Sequence, residues 1–391
     1  MEKIKLEDLC NPSQGQIKEQ PDTVIDYIDI SSVDNERKMV SGYQTMTFAE
    51  SPSRARKIVK KGNILVSTVR PNLNAVAVLE EETPHVTVAS TGFCILDCKD
   101  GVDKRFVFNF CRSKAFIESM VSQATGASYP AVSDKIVRSA LVPLYTSDEQ
   151  RRIGMILDAI SAIIEKRRQE LTRMDELIKV RFVEMFGDLA DPACKWEKCR
   201  LVDACANSDD IKCGPFGTQL GKDEYTEEGV SVWEIPQINS EFKTLPTHFV
   251  TEEKAAALDA YSIIPGDIAM SRKGNVGRCA VFPATFENGI IHSDVLRIRL
   301  DETKAFPEFM MRQLHYSGDI QHQIELVSSG AIMAGINVTK LKHIFVYLPP
   351  IELQGEFVAF VAQVDKSKVA VQAALREAQL LYDNLMQQFF G

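Results

Sequence analysis

The 391 residues, 45% apolar and 25% charged, have the composition of a globular protein with room for more than one core. A formal charge of −9 argues against a chain that grips nucleic acid by bulk charge alone. The opening MEKIKLEDLCNPSQG lacks a signal peptide's apolar core, and no stretch reaches the ~18 apolar residues of a membrane span. A cytoplasmic location follows as the expectation, with the nine cysteines reduced.

In chain order, strand-like runs come first: TVIDYIDI, GNILVSTV, NAVAVLE and VTVASTGFCILDC, followed by the amphipathic run KRFVFNFCRSKAFIESMVSQA. SALVPL closes this stretch, and its proline stops the strand. A long helix is then expected. Ile153, Leu157, Ile160, Ile164, Leu171, Met174, Ile178 and Met185 recur on alternating steps of four and three, the pattern of a coiled-coil seam. Cys194, Cys199, Cys205 and Cys213 follow at irregular spacing without a nearby histidine, which argues against zinc. A second strand-rich stretch runs through GVSVWEIPQI, GDIAMSRKG, GRCAVF and IIHSDVLRIRL to FPEFMMRQLHYSGDIQHQIELVSS and IFVYLPP.

The chain then repeats itself at a distance of 204 residues. Phe357, Val361, Val364, Lys368, Leu375, Ala378, Tyr382 and Phe389 continue the same seam, Gln354 matches Gln150, and Gly266-Asp267 matches the turn at Gly62-Asn63. Arg167, Arg181 and Lys368 interrupt the stripes, and their counterparts in the other copy, Val371, Leu385 and Ile164, are all apolar. The expected fold is α/β (α+β), in two copies, separated by an antiparallel two-helix coiled coil. The expected divisions are 1–147, a spacer helix over 148–188, 189–349, and a second helix over 350–391. A helix of about 37 residues is roughly 55 Å long and suits a ruler between two heads. Residues 1–147 carry 18 basic and 18 acidic side chains, and 189–349 carry 16 and 22, so any nucleic-acid contact must be local or shared with a partner.

The ordered set of phrases resembles the specificity subunit of type I restriction–modification systems over nearly the whole chain. LVPLYTSDEQRRIGMILDAI and VYLPPIELQGEFVAFVAQV lead into the helices, and FGD and FFG end them. GPFGTQLGKDEY, GVSVWEIPQIN and GDIAMSRKGNVG are similar to phrases of that family's target-recognition domains, whereas STVRPNLNAVAV departs from the glycine-rich turn. The resemblance implies a non-catalytic reader in which each domain recognises half of a bipartite asymmetric site in double-stranded DNA. It further implies helices that dock two methyltransferase subunits, with motor–endonuclease subunits joining them. S-adenosylmethionine, ATP and magnesium would then belong to the partners.

The residues are consistent with that reading. The chain has no phosphate-binding GxxxxGK[ST], and NPSQ lacks the second proline and aromatic of an adenine-methyltransferase motif, so it reads as a turn. The six histidines are dispersed. Base readout needs Arg or Lys for guanine, Asn or Gln for adenine, and hydroxyls for either, on strand ends or loops. STVRPNLN offers Ser67, Thr68, Arg70, Asn72 and Asn74; GASYP offers Ser128 and Tyr129. GPFGTQL offers Thr218 and Gln219; SRKGN offers Ser271, Arg272, Lys273 and Asn275. RARKIVKK (Arg54, Arg56, Lys57, Lys60, Lys61) reads either as a phosphate clamp or as a solvated helix face. The competing functions are a protein–protein adaptor with two heads and an autonomous methyltransferase.

Overall fold

The computed structural model describes residues 2–13, 15–18, 21–191, 194–328 and 335–391; Gln14 of NPSQ and Ser329 of the last amphipathic run lie outside them. The chain divides into two compact units, residues 1–171 with 370–391, and residues 172–369.

In the first unit, strand Val24–Ile28 pairs in parallel with Val86–Ser90, and antiparallel neighbours Gln44–Thr47 and Ala55–Ile58 flank the pair. A second sheet is built on Ile64–Ser67, which lies antiparallel between Phe93–Leu96 and Val76–Val78. Every side chain of Ile64–Ser67 is buried, as a central strand requires. The expected run VTVASTGFCILDC is two strands rather than one, because the chain turns at Thr91-Gly92 and changes sheet. The amphipathic run is likewise two helices, Lys104–Phe110 and Lys114–Gln123, because Ser113 caps the second by accepting from Phe116 N–H.

The second unit repeats this plan. Val230–Trp233 and Gly289–Ile291 form its parallel pair, flanked by His248–Val250 and Ser262–Ile263. Ile268–Ser271 lies between Val295–Ile298 and Cys279–Val281. GVSVWEIPQI is half strand and half helix: after Trp233 the chain enters helix Ile235–Asn239, with Pro236 in its first turn, where a missing N–H costs nothing. The matching turns before the central strands both use left-handed glycines, Gly62 at φ 88° and Gly266 at φ 92°. The residue after each glycine is buried and accepts a backbone N–H three residues upstream, Asn63 from Lys60 and Asp267 from Ile264.

Two helices of 40 residues each, Ser147–Phe186 and Ile351–Phe390, pass from one unit into the other. Within the first unit, Ile153 and Leu157 share a core with Met386 and Phe390. Within the second, Phe182 and Phe186 meet Phe357 at 5.5 Å between ring centroids, and both meet Phe309 of helix Pro307–Tyr316. In each unit the paired segments therefore run antiparallel, with the end of one helix beside the start of the other. The polar interruptions form local ion pairs, although the Arg181 Nε stays buried without a hydrogen-bond partner among the described residues. Lys368 reaches Asp175 at 2.5 Å and Asp365 at 3.0 Å, while Arg181 reaches Glu184 at 2.9 Å.

Each unit is also closed at its base by its own first and last strands. Lys3–Lys5 pairs with Leu141–Pro143, and Glu197–Arg200 with Phe345–Leu348, just before the respective helices.

Candidate nucleic-acid interface

The candidate loops leave the central strand of each unit at Ser67 and Ser271. In the first unit, Thr68 is stitched to the turn after the parallel pair: its N–H and hydroxyl both donate to Gly92 O, at 2.8 and 2.9 Å. Its own carbonyl accepts from Val132 N–H at 2.9 Å, and Arg70 N–H donates to Pro130 O at 2.7 Å. These bonds bring GASYP alongside STVRPNLN. Gly126 is required there, since it sits at φ 104° and a Cβ would lie 2.8 Å from Tyr129 O. The result is an exposed pair: the Arg70 guanidinium lies 4.7 Å from the Tyr129 ring centroid, and Tyr129 is 68% exposed. Asn72 and Ser128 are exposed beside them in sequence.

Burial separates the other candidates from this group. Ser67, Thr68 and Asn74 are buried and already engaged. Ser67 donates to Val69 O at 2.9 Å, and Asn74 Nδ2 donates to Cys111 O at 2.9 Å. Lys38 Nζ donates to Asn74 O at 2.5 Å and to its Oδ1 at 3.3 Å. Burial, with the Arg112 charge adding to it, pushes the Lys38 ammonium down to about 8. Arg70 at φ 49° and Asn74 at φ 47° bracket the turn Pro71–Leu73, so Asn74 serves as its anchor.

The second unit repeats the ladder with different side chains. Arg272 N–H donates to Asp294 O at 2.9 Å, and Arg272 O accepts from Ile336 N–H at 3.2 Å. Ser271 is fully buried. Arg272 donates through Nη1 to Ser293 O at 3.2 Å and lies 5.3 Å from the ring of Phe216, itself 52% exposed. Lys273 pairs with Asp294 at 2.8 Å, Asn275 is exposed, and so are Thr218 and Gln219. Gln219 bonds the Tyr261 hydroxyl at 2.7 Å.

RARKIVKK is strand Ala55–Ile58 with its flanks rather than a helix face. Arg54 is held by Asp29 at 2.5 Å and by the Tyr27 hydroxyl at 3.2 Å; Lys57 is held by Asp134 at 2.5 Å. Lys60 and Lys61 remain exposed.

A further cluster escapes sequence inspection because three separate elements supply it. Glu234 follows strand Val230–Trp233 and receives His248 Nδ1 at 2.7 Å, with His292 Nε2 at 3.9 Å. The Tyr225 ring lies 4.9 Å from His248. These residues, with Lys222 and Ser293, line a cleft of about 670 Å³. No metal-holding group of His, Cys, Asp and Glu occurs among the described residues. The one available signal is an acid placed directly after an apolar strand, VWE here and YID at Asp29.

Each of the two α/β units carries an equivalent exposed loop after its central strand. Residues 1–173 match the type I restriction modification DNA specificity domain. That match covers most of the first unit, part of the first long helix included, so the likeness to the type I specificity family is carried by this part of the chain. The MjaIX specificity subunit of Methanocaldococcus jannaschii is 23% identical over 132 residues, 34% of this chain and only 29% of that one. Among solved structures, the chain aligns at TM-score 0.61 and 24% identity with one from a study of complex assembly and conformational transition of the type I R-M system, covering 100% of this chain and 97% of that one. The S subunit of the type I system of M. genitalium aligns at TM-score 0.58 and 16% identity, covering 100% and 96%. The likeness to both structures is one of fold. No helix among the described residues is long and apolar enough to cross a membrane.

Proposed function

We propose that this chain is the DNA-reading subunit of a type I restriction–modification complex and carries no catalysis of its own. Each unit reads one half of a bipartite site in double-stranded DNA. The exposed residues Arg70, Asn72, Ser128 and Tyr129 serve one half-site; Thr218, Gln219, Arg272, Lys273 and Asn275 serve the other. Ser67, Thr68, Asn74 and Ser271 act beneath them as the frame of the loops. The observation that carries this reading is the Arg70–Tyr129 pair, built from two distant loops and exposed on a backbone ladder that recurs around Arg272. Because the side chains on the two ladders differ, the half-sites differ, and the target is asymmetric.

The two long helices fix the gap between half-sites and dock two methyltransferase subunits, to which motor–endonuclease subunits add. At 1.5 Å per residue a helix of this length is roughly 60 Å, somewhat under two turns of duplex. S-adenosylmethionine, ATP and magnesium belong to those partners, and the complex works in the cytoplasm. The acidic balance of the chain makes the phosphate grip a shared one, so tight specific binding belongs to the methyltransferase complex. A map of methylated adenines in the host genome, with and without this chain, tests the proposal. Loss of one split, asymmetric motif is expected; an unchanged map refutes it. Nanomolar specific binding by the isolated chain would refute the shared grip.

A further inference from the structure

In both units a carboxylate follows directly on the first strand of the parallel pair: Asp29 after Val24–Ile28, and Glu234 after Val230–Trp233. Each opens a short helical turn, so the acid belongs to the shared scaffold. What differs is its partner. Asp29 holds the Arg54 guanidinium, whereas Glu234 bonds the His248 imidazole, with His292 3.9 Å away, on the wall of a cleft. That cleft adjoins the reading loop, because Arg272 bonds Ser293, which also lines it.

The hydrogen bonds fix which ring nitrogens carry protons. His292 Nδ1 accepts from Asp294 N–H at 3.2 Å, so its proton resides on Nε2, facing Glu234. His248 Nδ1 lies 2.7 Å from Glu234 Oε2 and donates to it, so that whenever the ring carries a single proton its Nε2 is an acceptor. Tyr225, stacked at 4.9 Å, holds the plane of that ring. A carboxylate only accepts. The cluster therefore offers a visitor lone pairs from both Glu234 and His248, an array that attracts an amino group and repels a carbonyl.

The geometry points to Glu234 and His248 as a base-reading pair that selects an exocyclic amino group, that of adenine or cytosine, over the carbonyl of guanine or thymine at one position of the half-site read by the second unit. This inference rests on the DNA-reading function proposed above and adds the chemistry of one contact.

The test uses the chain co-expressed with its methyltransferase partners, random-sequence duplex DNA as methyl acceptor, and sequencing of the methylated products. Glu234→Gln keeps the shape of the acid but adds a donor. His248→Phe keeps a ring against Tyr225 but removes the acceptor, at a side chain 47% exposed and hence cheap to change. Each is expected to lower discrimination about tenfold at a single position of one half-site, with the other half-site unmoved. Melting temperatures check that the variants fold. If His248→Phe folds and keeps the wild-type motif at every position, the inference is wrong while the reading function stands. A wild-type complex that methylates without sequence preference removes both.

Discussion

Gln150 and Gln354, 204 residues apart, make the same two hydrogen bonds at the foot of the two long helices. Gln150 Nε2 donates to Tyr145 O at 3.0 Å, and Oε1 accepts from Asp103 N–H at 3.3 Å. Gln354 Nε2 donates to Pro349 O at 2.8 Å, and Oε1 accepts from Phe306 N–H at 3.1 Å. Asp103 and Phe306 are the residues that open helices Lys104–Phe110 and Pro307–Tyr316, so each glutamine ties its long helix to the α/β unit it leaves. Both are buried. Gln150→Ala or Gln354→Ala strands buried backbone groups and should each cost about 1–3 kcal/mol in urea denaturation. A loss below a few tenths of a kcal/mol would mean that water replaces the amide.

Asn74 separates anchoring from reading. Asn74→Ala loses the bond to Cys111 and forces alanine into φ 47°, so a destabilisation of about 1–3 kcal/mol is expected. Asn74→Gly accepts that backbone and should recover part of the loss. Arg70→Ala, at an exposed side chain, should leave the melting temperature unchanged yet weaken specific binding by the complex by about 1–3 kcal/mol if the residue pairs with guanine. Equal weakening on all sequences would mark Arg70 as a phosphate contact.

His315 makes the second unit sensitive to acid. Burial, with the Arg278 and Arg312 charges adding to it, pushes its imidazole down to about 4, and Nε2 accepts from Cys279 N–H at 3.3 Å. In the unfolded chain the ring titrates near its usual value of about 6.5. As pH falls, the unfolded state therefore takes up the proton first. The contribution is complete above about 6.5 and is lost progressively toward about 4, up to ~3 kcal/mol. His315→Gln should flatten that slope when urea denaturation is followed from pH 7 to 4. An unchanged slope would assign the acid sensitivity elsewhere.

Lys368 interrupts the apolar seam and is mostly buried between Asp175 and Asp365, whose charges raise its pKa against the desolvation. An ion pair of this kind gains little over a well-packed apolar residue. Lys368→Leu should hold stability within about 1 kcal/mol of the native chain, or raise it. Lys368→Ala should cost more, by removing packing as well as charge. The comparison requires only thermal melts.

The helices and the repeat can be read from the sequence because a seam sustained over many heptads averages out its polar exceptions. Arg181 and Lys368 break the stripe locally without shifting its phase. The loops can be read for a different reason: proline, glycine and short polar residues following an apolar strand specify a turn wherever it lies. Sequence does not separate Asn72, exposed, from Asn74, buried two residues on, since the difference is set by Lys38 and Cys111, far away in the chain. The Glu234–His248–His292 cluster is hidden for the same reason. Its members become neighbours only once the parallel strands pair.

The closing strands at the base of each unit have an evolutionary corollary. A segment whose first and last strands lie side by side, Lys3–Lys5 with Leu141–Pro143 and Glu197–Arg200 with Phe345–Leu348, enters and leaves the scaffold at one place. Recombination at those two edges would be expected to exchange the whole intervening segment and leave the flanking helices in place. Under the proposed function, one genetic exchange would then rewrite half of the target and keep the other half.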